Sequence, residues 1–310
     1  MIVKVEGLVK RYDKLVALDY LDLQVEEGEI FGLLGPNGSG KTTAINCILS
    51  LLKYDKGSIQ IFGKTMGPNA YDIKRDIGII MQNVAVFDEL SVYENISYFC
   101  SLYIKDKAEI KRLTKEAIEF VALEDYQKFY PKKLSGGLLR RLNIACGIVH
   151  KPKLIILDEP TVAVDPQSRN KILEGIKKLN EEGATIIYTS HYMEEVEQLC
   201  SNIAIIDKGR VIAKGTKEEL KAMISIGEKI TAEVYNLKEE QYSELKELSG
   251  IYSVEYHDNL LEVKSGKGKN NLVTILDFMG KRKINFGRVI TEMPTLNDVF
   301  LEITGKELRD

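Results

Sequence analysis

The stretch that decides the fold is Gly35-Pro-Asn-Gly-Ser-Gly-Lys-Thr42, a glycine-rich loop that ends in a lysine and a threonine. It follows the apolar run of residues 30–34 and precedes the apolar segment 43–51, the strand–loop–helix context in which this pattern binds phosphate. Glycines let the backbone approach closely, so that successive N–H groups and the new helix's positive end point at phosphate oxygens. The predicted nucleotide contacts are Gly35, Pro36, Asn37, Gly38, Ser39, Gly40, Lys41, Thr42 and Thr43.

The last two residues of this loop predict the cofactors. We expect the Lys41 ammonium to contact the β- and γ-phosphates of ATP, where it is also a predicted catalytic group. We expect the Thr42 hydroxyl to bind Mg²⁺. ATP and Mg²⁺ are therefore the predicted cofactors.

A second chemical signal is Leu154-Ile-Ile-Leu-Asp-Glu-Pro160, a buried strand that ends in two acids. Burying carboxylates is costly unless they meet a cation or a partner. Beside a phosphate loop, Asp158 is predicted to hold Mg²⁺ through its water shell, and Glu159 to orient or deprotonate the attacking water. The alternative, two acids that merely begin a loop, is disfavoured by the phosphate loop upstream.

Composition bounds the class of protein. The 310 residues allow about two domains at roughly 150 residues each. Hydrophobic residues make up 44% and charged residues 29%, which is typical of a globular protein with a full core. The net charge of −3 disfavours nucleic acid as a partner, so the basic pairs Lys132–Lys133 and Arg140–Arg141 are interpreted as solvated surface.

The chain offers no segment that predicts membrane insertion. No run of about 18 apolar residues occurs, and Lys4, Glu6 and Lys10 interrupt any N-terminal leader. We therefore expect a cytosolic chain whose link to a membrane comes through a partner. The widely spaced cysteines predict buried, reduced thiols and no metal site; they are Cys47, Cys100, Cys146 and Cys200.

Short apolar runs alternate with helical patterns, which favours an α/β fold with a mostly parallel sheet. The clearest strands are residues 30–34, 154–157 and 185–188, each nearly continuous in apolar residues. Residues 84–133 are predicted to be helical throughout, within a helical subdomain of about residues 84–150. The first domain is predicted to span residues 1–223.

The second domain, residues 224–310, is predicted to be a small α+β domain. Its predicted elements follow the β-α-β-β-α-β order of ferredoxin-like folds. They are strand 229–234, helix 239–248, strands 252–256 and 260–263, helix 271–279 and strand 285–291.

Several segments of the first domain resemble those of ABC ATPases, the ATP-hydrolysing subunits of ABC transporters. The segments occur in the same order, and the spacing between them is similar. They are residues 35–43, Gln82, Leu-Ser-Gly-Gly at 134–137, Ile-Leu-Asp-Glu-Pro at 156–160, and His191. Residues 134–137, the signature segment, are by themselves a common cap and turn. Upstream of Ile-Leu-Asp-Glu-Pro they are highly specific to this superfamily. The resemblance covers about residues 1–225 and implies an α/β P-loop NTPase of ABC type with a helical subdomain.

The resemblance implies a role for each matching residue. Tyr12 matches the aromatic residue that stacks on adenine, with an ordinary strand tyrosine as the alternative. Gln82 matches the glutamine that senses Mg²⁺ and the attacking water and also touches the membrane subunit. His191 matches the switch histidine that contacts the γ-phosphate, and Asp165 the acid of a loop that crosses between subunits.

In this family, the signature segment of one subunit covers the ATP held by the other. The resemblance therefore implies that Ser135, Gly136 and Gly137 face the γ-phosphate of a second copy, where they stabilise transition-state charge in place of an arginine finger. Hydrolysis would then depend on dimer closure. Leu138 and Ala163 depart from the polar residue and the glycine that the family often has at those positions, and both could tune closure.

Three further stretches resemble ATP-binding subunits of drug, antibiotic and lipid exporters with separate membrane subunits. They are Glu29-Ile-Phe-Gly-Leu-Leu34, residues 161–169 after the acid pair, and Pro294–Gly305, whose apolar residues also suit a packing helix. The expected partners are permease subunits and a second ATPase subunit, with the chain peripheral to the cytoplasmic face of the membrane. The alternatives are a soluble ABC ATPase acting on ribosomes, DNA or cofactor assembly, and a nucleotide-gated regulator without turnover. Glu159 and His191 argue against the regulator.

Directly after Gln82, apolar residues alternate with polar ones before a helix that is predicted to begin near Val92. In the family this region forms a cleft for a short helix of the membrane subunit, which makes Phe87 a candidate interface anchor. The alternative is that Phe87 and Leu90 pack within the helical subdomain.

Overall fold

The computed structural model describes residues 1–268 and 271–305, in two compact units. The first unit is residues 1–216, and the second begins at Lys217. The sequence predicted that the first domain ends at residue 223. In the structure, the helix Lys217–Met223 belongs to the second unit. The predicted second domain also includes residues 269–270 and 306–310, which lie outside the described residues.

A six-stranded, mostly parallel sheet forms the centre of the first unit. Its strands are β3 (Ile30–Leu34), β6 (Ile77–Ile80), β7 (Leu154–Asp158), β8 (Thr185–Ser190), β9 (Asn202–Asp207) and β10 (Arg210–Gly215). They lie in the order β10-β9-β3-β8-β7-β6, with β10 antiparallel at one edge. β3, β7 and β8 are buried along their whole length, because apolar side chains project from both faces into packed layers. The predicted α/β class is confirmed.

A second, antiparallel sheet packs against the first. It contains β1 (Val3–Tyr12), β2 (Leu15–Val25), β4 (Lys56–Ile61) and β5 (Lys64–Thr65) in the order β2-β1-β4-β5. One apolar core joins the two sheets through side chains such as Leu21, Leu33 and Ile156.

The helices of the first unit surround this core. They are α1 (Lys41–Ile48), α2 (Tyr71–Lys74), α3 (Val92–Ser101), α4 (Lys107–Phe120), α5 (Gly136–Ile148), α6 (Pro166–Glu181) and α7 (Met193–Leu199). Among residues 1–268 and 271–305, no helix is both long and apolar enough to cross a membrane.

The prediction that the whole stretch from about residue 84 to residue 133 is helical is wrong for residues 84–91, which form no helix. The helix predicted to begin near Val92 is confirmed, because α3 begins at that residue. The buried Asn95 side chain satisfies the backbone of this segment instead. Its amide donates to the carbonyl oxygens of Phe87 (3.0 Å) and Leu90 (2.9 Å), and its oxygen accepts from the Phe87 N–H (2.8 Å). Ser91 and Glu94 then form a capping box that begins α3.

The second unit has the β-α-β-β-α-β order that the sequence predicted, flanked by one helix at each end. Its elements are α8 (Lys217–Met223), β11 (Ile226–Tyr235), α9 (Glu239–Lys246), β12 (Ile251–His257), β13 (Leu260–Gly266), α10 (Asn271–Lys281), β14 (Asn285–Glu292) and α11 (Leu296–Thr304). The sheet is antiparallel in the order β12-β13-β11-β14. Val234, Val263 and Ile275 are fully buried in its own core. In α11, Leu296, Val299 and Phe300 are buried, whereas Ile303 is 38% exposed.

The predicted buried thiols are confirmed. All four cysteines are free and buried. Burial raises the pKa of Cys47 to about 11, so its thiol stays protonated at neutral pH.

Because the first unit has its own core, we expect a chain that ends at Thr216 to fold alone. Circular dichroism on heating should show one cooperative transition for residues 1–216. A non-cooperative melt, or an insoluble product, would show that the two units depend on a shared core.

Candidate nucleotide site

Four of the motif regions meet at one edge of the central sheet. β3, β8, β7 and β6 are adjacent and parallel, so their carboxyl ends lie side by side. The phosphate loop follows β3, and Gln82 follows β6. Asp158 ends β7 and Glu159 follows it, and His191 follows β8. Ligands bind at this edge in open parallel sheets.

The phosphate loop wraps around the Lys41 side chain. Lys41 is 4% exposed, and its ammonium donates to the carbonyl oxygens of Gly35 (2.8 Å) and Pro36 (3.2 Å). Gly40 has φ of 111°, and a Cβ there would lie 2.8 Å from the Ala17 carbonyl oxygen, so the turn requires glycine. The Ser39 hydroxyl is buried and has no hydrogen-bond partner among the described residues, which suits a loop that takes a polar ligand.

Asp158 joins the phosphate loop to the end of β8. It is fully buried, and its carboxylate accepts from the Thr42 hydroxyl (3.0 Å) and the Thr189 hydroxyl (2.6 Å). Thr42 and Asp158 thus bring two hard oxygen ligands together, the type of donor that Mg²⁺ prefers. The residues present therefore fit the predicted metal.

Glu159 is the point where the predicted catalytic residues converge. Its carboxylate lies 3.3 Å from the Lys41 ammonium, 3.3 Å from the Gln82 amide nitrogen and 3.4 Å from His191 Nδ1. Glu159 is 6% exposed and has a positive φ of 48°, and its N–H donates to the Thr189 hydroxyl at 3.0 Å. A non-glycine residue in this conformation is held there by its surroundings.

Arg140 is a supporting residue, and the prediction that it lies on the solvated surface is wrong, because it is only 5% exposed. Its guanidinium donates to the carbonyl oxygens of Met81 (2.9 Å) and Gln82 (2.7 Å) and so fixes the end of β6. Burial lowers the pKa of Arg140, although Asp158 opposes that shift. No local signal distinguishes it, because Arg141 and Asn143 also interrupt the apolar pattern of α5.

Thr189 was also missed. No site role was predicted for it, whereas β8 places the buried Thr189 hydroxyl between Asp158 and Glu159. A polar residue at the end of an apolar strand was the available signal.

The signature segment is built as an exposed helix start. Ser135 is the N-cap of α5 and accepts from the Leu138 N–H at 3.3 Å. Ser135 and Gly136 are exposed, whereas Gly137 is buried where a Cβ would lie 2.7 Å from Ser168 Cβ. Its close packing against α6 therefore requires glycine.

The remaining predicted residues also lie at ends of elements. Asp165 is the N-cap of α6 and accepts from the Ser168 N–H (2.9 Å), which lowers the pKa of its carboxyl. Tyr12 is 45% exposed at the end of β1, with the Lys10 ammonium 5.0 Å from its ring centre. Tyr12 pairs with Leu15 of β2, the strand whose Ala17 passes beside Gly40.

A phosphate loop, a buried acid pair and a polar cluster at the ends of parallel strands together define a P-loop ATPase. Residues 18–162 match the family model described as ABC transporter. Relatives extend the match over nearly the whole chain. The linearmycin resistance ATP-binding protein LnrL of Bacillus subtilis is 38% identical over 307 residues, covering 98% of this chain and 99% of the relative. This chain belongs to the ABC transporter family and is an ATPase.

Other relatives are similar over comparable lengths. The daunorubicin resistance ATP-binding protein DrrA3 of Streptomyces coeruleorubidus is 33% identical, covering 99% of this chain and 97% of the relative. The Nod factor export ATP-binding protein I of Ralstonia nicotianae is also 33% identical, covering 100% of this chain and 95% of the relative.

Solved structures match the cassette. The dimeric ATP-binding cassette MJ0796, bound to ADP and Pi in a post-hydrolysis state, is 27% identical with a TM-score of 0.64. The match covers 69% of this chain and 98% of that structure. Cassette cbiO1 from Clostridium perfringens, part of an ABC transporter complex, is 31% identical with a TM-score of 0.66, covering 71% of this chain and 90% of that one. The predicted ABC-type fold is confirmed.

Proposed function

We propose that this chain is the ATP-hydrolysing subunit of an exporter and acts through separate membrane-spanning subunits at the cytoplasmic face of the membrane. The observation that carries the proposal is the end-to-end similarity to resistance and export subunits, which covers 98–100% of this chain. The solved cassettes cover only 69–72% of it. The likeness to export subunits therefore extends beyond the ATPase cassette, and it favours a drug, antibiotic or lipid-like cargo.

ATP binding is assigned to the loop and the hairpin beside it. Tyr12 presents an exposed ring for stacking on adenine, and the backbone N–H groups of residues 37–43 receive the phosphates together with the α1 dipole. Lys41, the buried cation of the loop, neutralises the β- and γ-phosphates.

Mg²⁺ would be held by the Thr42 hydroxyl, the Asp158 carboxylate and the Gln82 side chain. Bound there, the ion would neutralise charge on the β- and γ-phosphate oxygens. Thr189 holds the Asp158 carboxylate in place through its hydroxyl.

Glu159 is assigned the role of general base toward the attacking water. The Gln82 amide donates to its Oε2 atom and orients the carboxylate, and His191 Nδ1 lies 3.4 Å from the same oxygen, where water and γ-phosphate would meet it. Arg140 holds the backbone on either side, because it binds the Gln82 carbonyl and approaches the Glu159 carbonyl at 3.5 Å.

The signature segment is assigned to the ATP site of a second copy. Ser135 and Gly136 are exposed at the start of a 13-residue helix, where N–H groups and the helix dipole favour an anion. Two identical copies would thereby form two shared sites.

Purification from detergent-solubilised membranes tests the export assignment. We expect membrane-spanning subunits to co-purify with the chain and to stimulate its phosphate release. Stable association with ribosomes or a soluble assembly complex, without membrane subunits, would contradict it.

Phe87 is proposed to anchor the membrane subunit. Its ring is 43% exposed and lies edge-on to Tyr98, with centres 5.1 Å apart, beside Phe99 at 6.0 Å. Asn95 fixes the Phe87 backbone on both sides. A rigid, half-exposed aromatic cluster is the type of surface that forms a binding hot spot.

Replacing Phe87 with Ser should reduce co-purification of membrane subunits while ATP binding and melting temperature remain nearly unchanged, because much of the ring contacts solvent in the isolated chain. Tyr71→Ser is the matched control, since Tyr71 is 72% exposed on α2. A drop of several degrees in melting temperature with partner binding retained would show that Phe87 serves the core instead.

A further inference from the structure

A buried carboxylate outside the nucleotide site ties together the segments that follow its catalytic residues. Glu195, in the first turn of α7, is 3% exposed. Its Oε2 atom accepts from the hydroxyls of Tyr188 (2.7 Å), Thr161 (2.9 Å) and Ser190 (3.0 Å). The other oxygen, Oε1, lies 3.3 Å from Arg169 Nε.

The Glu195 carboxylate is the common acceptor of the cluster. Three hydroxyl hydrogens converge on one oxygen, and a guanidinium faces the other. Burial and the neighbouring Glu195 raise the pKa of Tyr188 well above its ordinary value, so its phenol remains a donor. A buried charge is tolerated when it is hydrogen-bonded and paired in this way.

Three of the four partners, Thr161, Ser190 and Arg169, belong to segments that the site depends on. Thr161 comes two residues after Glu159. The turn that contains both is closed by the Val162 N–H, which donates to the Glu159 carbonyl at 3.4 Å. Ser190 immediately precedes His191, and its hydroxyl also accepts from the Tyr192 N–H at 2.9 Å. Arg169 lies on α6, and its N–H donates to the carbonyl of Asp165 at 2.9 Å.

We propose that Glu195 is a positioning residue that holds the Glu159 segment, the His191 segment and the start of α6 in one arrangement. It touches neither Lys41 nor the phosphate loop in the described contacts, so it acts through Thr161, Ser190 and Arg169. Because residues 161–165 lead to the predicted subunit contact at Asp165, the cluster also links that contact to the catalytic carboxylate.

Such a role predicts a loss in kcat without a matching change in KM. Displacing a catalytic group by about 1 Å lowers rates on the order of 10²-fold, whereas Tyr12 and Lys41, which bind ATP, lie outside this cluster. Glu195→Ala should therefore lower kcat by about 10- to 100-fold and leave the KM for ATP within about twofold. Glu195→Gln, which keeps a hydroxyl acceptor but no charge for Arg169, should fall between wild type and Glu195→Ala.

The test compares variants that lose similar contacts at different places. Ser190→Ala keeps the carboxylate and removes its link to the His191 segment, so kcat should fall even if Glu195→Ala does not fold. Asn180→Ala is the control, because Asn180 lies near the other end of α6 and its amide donates to the carbonyls of Gly28 (2.9 Å) and Ala184 (2.8 Å). It should lower the melting temperature and leave kcat unchanged.

The inference rests on the proposed roles of Glu159 and His191, so Glu159→Gln is measured in the same phosphate-release assay. Turnover retained in Glu159→Gln would overturn those roles, whatever the Glu195 variants do. With Glu159→Gln inactive, unchanged kcat in the folded Glu195→Gln and Ser190→Ala variants would overturn the positioning role. A fall in kcat at constant KM in both variants, absent from Asn180→Ala, is the expected result.

Discussion

Replacing Glu159 with Gln is expected to lower ATP turnover by about 10²- to 10⁴-fold, the usual contribution of a general base. Glutamine has the same shape, so Gln82 and His191 keep a polar neighbour, but a neutral amide accepts no proton from water. Phosphate release measures the loss, and titration with a fluorescent ATP analogue should show that binding persists.

Lys41→Ala is the contrasting variant. It removes the buried ammonium that binds two loop carbonyls and faces Glu159, so ATP binding itself should weaken. Truncating one partner of a buried charge pair costs about 2–5 kcal/mol. An equal loss of nucleotide binding in both variants would contradict the role given to Glu159.

The second large effect concerns association. With Glu159→Gln, ATP should convert a monomer into a stable dimer, because hydrolysis no longer reopens the pair. Light scattering with and without ATP measures the change in mass. ADP is the nucleotide control, since it lacks the γ-phosphate that the signature segment is proposed to bind.

Adding Ser135→Arg should abolish that dimer. Ser135 is exposed at the N-terminus of α5, so the single chain tolerates the larger side chain, whereas a facing ATP site does not. A dimer that still forms with Arg at position 135 would contradict the shared-site geometry.

Much of the nucleotide site was predictable because its information is local. Each motif lies at the end of a short apolar strand: the phosphate loop after β3, the acid pair at the end of β7, and His191 after β8. One rule, that carboxyl ends of parallel strands share an edge, then places them together. The contacts of Glu159 with Lys41, Gln82 and His191 follow that expectation.

The features that the sequence did not reveal depend on contacts between distant residues. Val3 pairs with Ile61 in the antiparallel sheet, and nothing in either segment specifies its partner. The irregular course of residues 84–91 depends on the buried Asn95 side chain, and Arg140 is buried because its guanidinium reaches the carbonyls that end β6. Local patterns carry no record of such contacts.

The most direct test of the central claim, hydrolysis at sites shared by two copies, is a mixing experiment with two impaired variants. Glu159→Gln lacks the proposed base, and Ser135→Ala lacks the proposed donor to the facing γ-phosphate, a loss that typically costs about 10²-fold in rate. In a mixed dimer, the intact Glu159 of one chain faces the intact Ser135 of the other, which restores one complete site. We therefore expect phosphate release by the mixture to exceed the sum of the two variants measured separately. A rate equal to that sum, with mixed dimers shown to form, would contradict shared sites.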